Sequence, residues 1–99
     1  MVVGTCRLEL ALAENHSLKG KRRVLRSVCS RLRNTFNVAV AEIEEQENWQ
    51  TAVLGLVCVS NATMHAREQL EKAIRFVEGQ RLDAEVVEHH IELVHLFET

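Results

Sequence analysis

The chain of 99 residues predicts an α+β sandwich: a four-stranded antiparallel sheet with two helices on one face. Three observations carry this. Apolar residues alternate with a period of two in four stretches, and they recur at the helical period in two others. The six stretches fall in the order βαββαβ. No proline occurs anywhere in the sequence to break an element from within.

Over residues 2–12, Val2, Cys6, Leu8, Leu10 and Leu12 face one way and Thr5, Arg7 and Glu9 the other, the mark of a half-buried strand. Glu14-Asn15-His16 forms a turn, and Ser17 is placed to cap a helix running to residue 34. Leu18, Val24, Leu25, Val28, Leu32 and Phe36 share one face of that helix, with Cys29 at its margin. Residues 37–43 (NVAVAEI) form the second strand. A polar, acidic connection, EEQENWQT, leads to the third, AVLGLVCVS, at residues 52–60. Asn61 is expected to cap a second helix over 62–78, with Gly79 at its C′ position. The apolar face there is Ala66, Leu70, Ala73, Ile74 and Val77. Alternation returns over 84–97 for the fourth strand.

Each helix must cross between parallel strands that leave a gap, while strands two and three join as a hairpin. The compact solution is the ferredoxin-like βαββαβ sandwich, a single domain over residues 1–99. In such a fold the second sheet face is normally wet. Here strand three is apolar on both faces, with Leu54, Leu56 and Cys58 opposed by Val53, Val57 and Val59. Strand two likewise sets Val38 and Val40 against Ala39, Ala41 and Ile43. That much apolar surface implies a covering partner, and a homodimer through the open sheet face is the simplest one.

Composition narrows the class. Apolar residues at 46% and charged residues at 26% describe a globular chain. Cys6, Cys29 and Cys58 are odd in number, widely spaced and set among apolar neighbours, so they read as buried thiols in a reducing compartment. Without a leader-like start or an apolar run of about 20 residues, the expected place is the cytoplasm, with no membrane contact.

The net charge of −2 conceals an uneven distribution. Residues 15–41 hold seven basic side chains and no acidic one, whereas the rest holds five basic and fourteen acidic. On a helical wheel Lys19, Arg22, Arg23, Arg26 and Arg33 fall within one arc of about 100°, while Lys21 and Arg31 sit at the edges of the apolar face with stems that can snorkel. Helix two offers a contrast. Its polar face mixes signs and contains the pairs Glu68–Lys72 and Glu71–Arg75 at i,i+4. The one-sign stripe of helix one admits three readings: a solvated or internally paired face, with Glu42, Glu44, Glu45 and Glu47 as candidate counter-charges; a contact for phosphates; or a dock for an acidic protein.

Other candidates are weaker. His89 and His95 share one side of the last strand, and His90 lies between Glu88 and Glu92 on the other. His90 with Glu92 is a thin basis for a metal, because no matching ligands stand elsewhere. Trp49 is either an anchor folding its connection onto the core or a platform for a nucleobase. No phosphate loop, HExxH or GxSxG is present, and strands one and three lack the aromatics of a sheet that stacks RNA bases. A catalytic role, a cofactor and a metal are therefore not expected.

In SLKGKRRVLRSV, FNVAVAE and WQTAVLGLVCVSN the chain resembles the YlxP-like family, small bacterial proteins of unknown function, over residues 2–87. The resemblance implies a ferredoxin-like fold. It also implies a role near RNA or the ribosome, because the family's genes often lie beside translation and ribosome-maturation factors. The family's basic segment maps onto Lys19, Lys21, Arg22, Arg23 and Arg26, and its tryptophan-glutamine pair onto Trp49 and Gln50. Glu47 stands where relatives commonly have aspartate. The combined expectation is a non-enzymatic protein that binds RNA or a ribosomal particle through helix one. The alternative is a regulatory module docking an acidic protein partner.

Overall fold

In the computed structural model, which describes residues 1–44, 47–80 and 83–98, the elements are β1 (Val2–Ala11), α1 (Leu18–Thr35), β2 (Ala39–Glu44), β3 (Thr51–Ser60), α2 (Thr63–Gly79) and β4 (Glu85–His95). The sheet order is β2-β3-β1-β4, and every pairing is antiparallel. This is the ferredoxin-like arrangement the pattern predicts. Each crossover helix spans one intervening strand, so β1 and β3 become the central pair.

Alternation decides what is buried. The even-numbered residues of β1 from Val2 to Leu10 face the helices and are buried, while the odd-numbered ones are half-buried on the other side. Leu8, Leu10, Leu12, Leu54 and Leu56 are fully enclosed under Leu32 of α1 and Leu70 of α2. Each such side chain contributes roughly 1.5–3 kcal/mol. Gly4 sets how closely α2 approaches, since a Cβ there would stand 3.0 Å from Leu70 Cδ1 and 3.0 Å from Cys58 Sγ. Phe36 and Phe76 meet edge to face at 5.4 Å, joining the C-terminal end of α1 to α2.

Three local expectations are corrected. Asn61 does not cap α2. The Ser60 hydroxyl accepts the Ala62 amide at 3.1 Å and turns the chain one residue later, leaving Ala62 at the N-cap without a side-chain bond. Gly79 is not a left-handed C′ residue. No glycine has positive φ, and the helix runs through Gly79 to Gln80, whose amide reaches Val77 O at 3.2 Å. Leu18, assigned to the apolar face of α1, is 40% exposed, because it lies in the first turn beyond the edge of the core.

The open sheet face divides in two. Val53 is completely buried although it points away from the helices. It pairs with Glu9 on β1 and Glu44 on β2, and Arg7 spans those carboxylates, at 3.0 Å from Glu44 and 3.7 Å from Glu9. The stems of this charged group cover Val53 within the monomer. At the other end Val57 and Val59 remain exposed.

All three cysteines are free and buried. Burial pushes the Cys6 thiol up to about 11, against a backbone hydrogen bond from His90 that lowers it. Burial likewise raises Cys29 and Cys58. A shift of that size leaves Cys6 about a hundredfold less thiolate than an ordinary cysteine. The native protein at mildly alkaline pH should therefore react slowly with a thiol reagent, and all three cysteines should react at once in urea. Rapid labelling of the native state would contradict this packing.

Candidate nucleic-acid interface

Helix α1 starts where its sequence implies. Ser17 is extended and its hydroxyl accepts the Gly20 amide at 2.9 Å. Just before it, Asn15 is buried, and its side-chain amide donates to Ser17 O at 2.8 Å and to Trp49 O at 2.6 Å. Gly20 exists for this contact: a Cβ there would overlap Asn15 Oδ1 and lie 3.1 Å from Ser17 Oγ. The glycine in KGKRR is thus a steric requirement of the turn.

Lys21 is not an edge residue of the apolar face but one of its buried members. It is 4% exposed, in line with Leu25, Val28, Cys29 and Leu32 on the buried face. Its stem fills the end of the core, and its ammonium, instead of emerging into water, donates to Asn48 O at 3.2 Å and lies 3.4 Å from Glu42 Oε2. Asn15 and Lys21 together clamp residues 47–50 to the first turns of α1. Gln50 completes the attachment. Its carbonyl accepts the Leu12 amide at 2.7 Å, and its side chain donates to Ala13 O at 3.3 Å. Trp49 is not inserted into the core; its backbone carbonyl is held while the residue stays 48% exposed. Of the two roles open to it, the anchor is filled by Asn15 and Lys21.

The remaining cations sort themselves by partner. Arg33 donates to Val40 O at 2.7 Å on β2, and Arg31 to Gln80 Oε1 at 3.0 Å. Glu42 is committed to Lys21 and Glu44 to Arg7, so neither neutralises the stripe; Glu45 lies outside the described residues. Lys19, Arg22, Arg23 and Arg26 are exposed, and among the described residues they take part in no ion pair. Their spacing of i, i+3, i+4 and i+7 places four cations along about 10 Å of one helix face. They occupy the half of α1 where the helix dipole is positive, and the first turn has no acidic residue. On α2, by contrast, Glu71 and Arg75 approach to 4.0 Å, although Glu68 and Lys72 form no ion pair.

The histidines do not converge. His90 Nε2 bonds Glu92 Oε1 at 3.1 Å, and His95 Nδ1 bonds Glu98 Oε1 at 2.9 Å. His89 lines a groove beside Arg67 and Arg75 of α2. Among the described residues no three His, Cys, Asp or Glu side chains are grouped to hold a metal, and no helix is long and apolar enough to cross a membrane.

A family model described as a protein of unknown function, DUF503, matches residues 3–91. An uncharacterised protein, YlxP, of Bacillus subtilis (strain 168) is 31% identical over 78 residues, covering 79% of this chain and 85% of that protein. Among solved structures, apo LarC2 is similar, with a TM-score of 0.52 and 11% identity. LarC2 is the C-terminal domain of a cyclometallase involved in the synthesis of the NPN cofactor of lactate racemase. The match covers 95% of this chain and 55% of that one, so the chain spans about half its length. At that identity the likeness is one of fold.

The clamp makes a sign prediction. Helix propensity alone would have Gly20→Ala stabilise α1 by about 1 kcal/mol. Overlap with the pinned Asn15 side chain reverses this, to a net loss of about 1–2 kcal/mol. The midpoint of urea unfolding reads the sign, and a higher midpoint for Gly20→Ala would contradict the clamp.

Proposed function

We propose, for a chain that belongs to the DUF503 family and takes no assigned activity from it, that this is a non-enzymatic RNA-binding protein. Its target is RNA or a ribosome-associated ribonucleoprotein, and its contact surface is the exposed stripe of α1. The observation that carries the reading is the stripe itself: Lys19, Arg22, Arg23 and Arg26, one sign, one face, and no ion pair among the described residues.

Folding alone disfavours this arrangement. Like charges at i,i+4 cost a few tenths of a kcal/mol per pair, and cations at the positive end of a helix dipole add to that cost. Phosphates reverse both terms. Three of the four cations are arginines, whose planar forks pair with phosphate oxygens in two-point contacts. Such contacts orient a protein on a backbone without reading sequence. Arg33 is engaged by Val40 and instead ties the helix to β2. Trp49, hydrogen-bonded through its backbone to Asn15 at the start of the same helix, offers an exposed ring on which an unpaired base can stack. The buried free thiols suit a reducing, RNA-containing compartment, the cytoplasm.

Arginine forks also fit carboxylates, so an acidic protein is the alternative occupant. Salt dependence and competition separate the two. With four phosphate contacts, the logarithm of RNA affinity should fall with the logarithm of salt at a slope of about −2.8 to −3.6. Polyglutamate should not compete at equal charge concentration. Replacing Arg22, Arg23 and Arg26 by Glu should abolish binding, and Arg67→Glu on α2 should leave it intact. Unchanged RNA affinity in the triple variant would sink the proposal, and capture of polyglutamate in preference to RNA would favour the alternative.

A further inference from the structure

The two edges of the sheet differ. The outer edge of β2 is short, and Arg33 occupies its Val40 carbonyl. The outer edge of β4 runs from Glu85 to His95, and among the described residues no strand pairs with it. Met1 and Leu96 exchange both main-chain hydrogen bonds, at 2.9 and 2.8 Å. Alternation from that pair turns the N–H and C=O groups of Val94, Glu92 and His90 toward β1. Those of His89, Ile91 and Leu93 therefore point outward. A long free edge is normally guarded by lysine, proline or a bulge. Residues 83–98 contain no Lys, Arg or Pro, and the register shift of β4 falls near its start, opposite Glu9 and Leu10.

The geometry points to a second copy of this chain as the occupant of that edge, joined antiparallel through β4 so that the two sheets become one. The two-fold axis stands perpendicular to the sheet at Ile91. Three observations select a copy and this register. First, with Ile91 against the partner's Ile91, His89 meets the partner's Leu93, and the outward main-chain groups exchange hydrogen bonds along the regular part of β4. Second, on the open face the same register sets His90 against the partner's Glu92, twice over. An axis one residue away, at His90 or Glu92, sets glutamate against glutamate. An axis at His89 runs the pairing into the shifted stretch, and one at Leu93 gives up the His–Glu pairs. Third, α2 packs across β4 and β1 on the other face. It borders a groove of about 420 Å³ that runs from Arg67 to Glu78 on the helix and meets β4 at His89 to Ile91. The axis sets α2 antiparallel to its copy, so Arg67 stands toward the partner's Glu78 and Glu71 toward the partner's Arg75. Both rows of charge are thus self-complementary, a match that an unrelated peptide strand has no cause to make.

This inference does not depend on α1 binding RNA. Sedimentation equilibrium on the full chain at micromolar concentration tests it. The expected mass is twice the 11.3 kDa of the chain. His89 is exposed and its N–H points outward, so His89→Pro suits the monomer and blocks the join. That variant should keep its circular dichroism and show the monomer mass. Charge exchange at exposed positions gives a second reading that does not rest on proline. His90→Glu should weaken association about tenfold, and adding Glu92→His should restore it. Val59→Lys, on the open sheet face, should leave the dimer intact. A wild-type monomer, a folded His89→Pro dimer or a Val59→Lys monomer overturns the proposal. Failure of the exchange to restore association overturns the register.

Discussion

Two buried polar side chains, the Asn15 amide and the Lys21 ammonium, hold residues 47–50 against the start of α1. Taking an ammonium out of water costs several kcal/mol unless it is paired and hydrogen-bonded. Here the cost is offset by Glu42 and by the Asn48 carbonyl. The consequence reaches further than stability. The clamp fixes where α1 begins, requires glycine at position 20, and leaves the Trp49 ring outside while its backbone is tied down. The helix that carries the stripe and the turn that carries the aromatic ring are one rigid unit because of it.

That unit gives meaning to the distribution of charge. The protein uses many of its ionic groups structurally. Arg7 with Glu9 and Glu44 covers Val53, Lys21 with Glu42 closes the end of the core, and Arg33 occupies a carbonyl on the free side of β2. Each cation so used is drawn toward the body of the fold. Lys19, Arg22, Arg23 and Arg26 remain on the outer face, where packing does not require them. A cluster of one sign left over after such sorting is better evidence for an external anion than the seven basic residues counted along the chain.

Much of this was legible in the sequence, to the extent that periodicity controls it. Alternation in β1 and the spacing of Leu25, Val28 and Leu32 depend on local geometry, and both elements lie where the pattern puts them. The sheet order follows from element order and the handedness of crossovers. Lys21 belongs inside by its angle, at i−4 from Leu25 and i−7 from Val28, and was set at the edge of the apolar face for its charge alone; a tertiary partner such as Glu42 or Asn48 is what lets the ammonium follow its stem. Asn61 failed as a cap because the neighbouring Ser60 hydroxyl took the amide first. The burial of Val53 needed Arg7 and Glu44, 37 positions apart in the chain, to meet. Asn15 was passed over as a turn residue. Its one signal was a glycine five positions on, in the first turn of a helix, where glycine is otherwise unfavourable.

The single tryptophan allows a direct test of whether helix and turn form one surface for RNA. A short RNA hairpin with an unpaired loop is titrated into the protein at low salt while Trp49 emission is followed. The account predicts saturable quenching in the wild type. It also predicts no quenching when Arg22, Arg23 and Arg26 are all changed to Gln, with the emission of that variant alone unaltered. An emission that ignores RNA shown to be bound, or equal quenching in the uncharged variant, would contradict it.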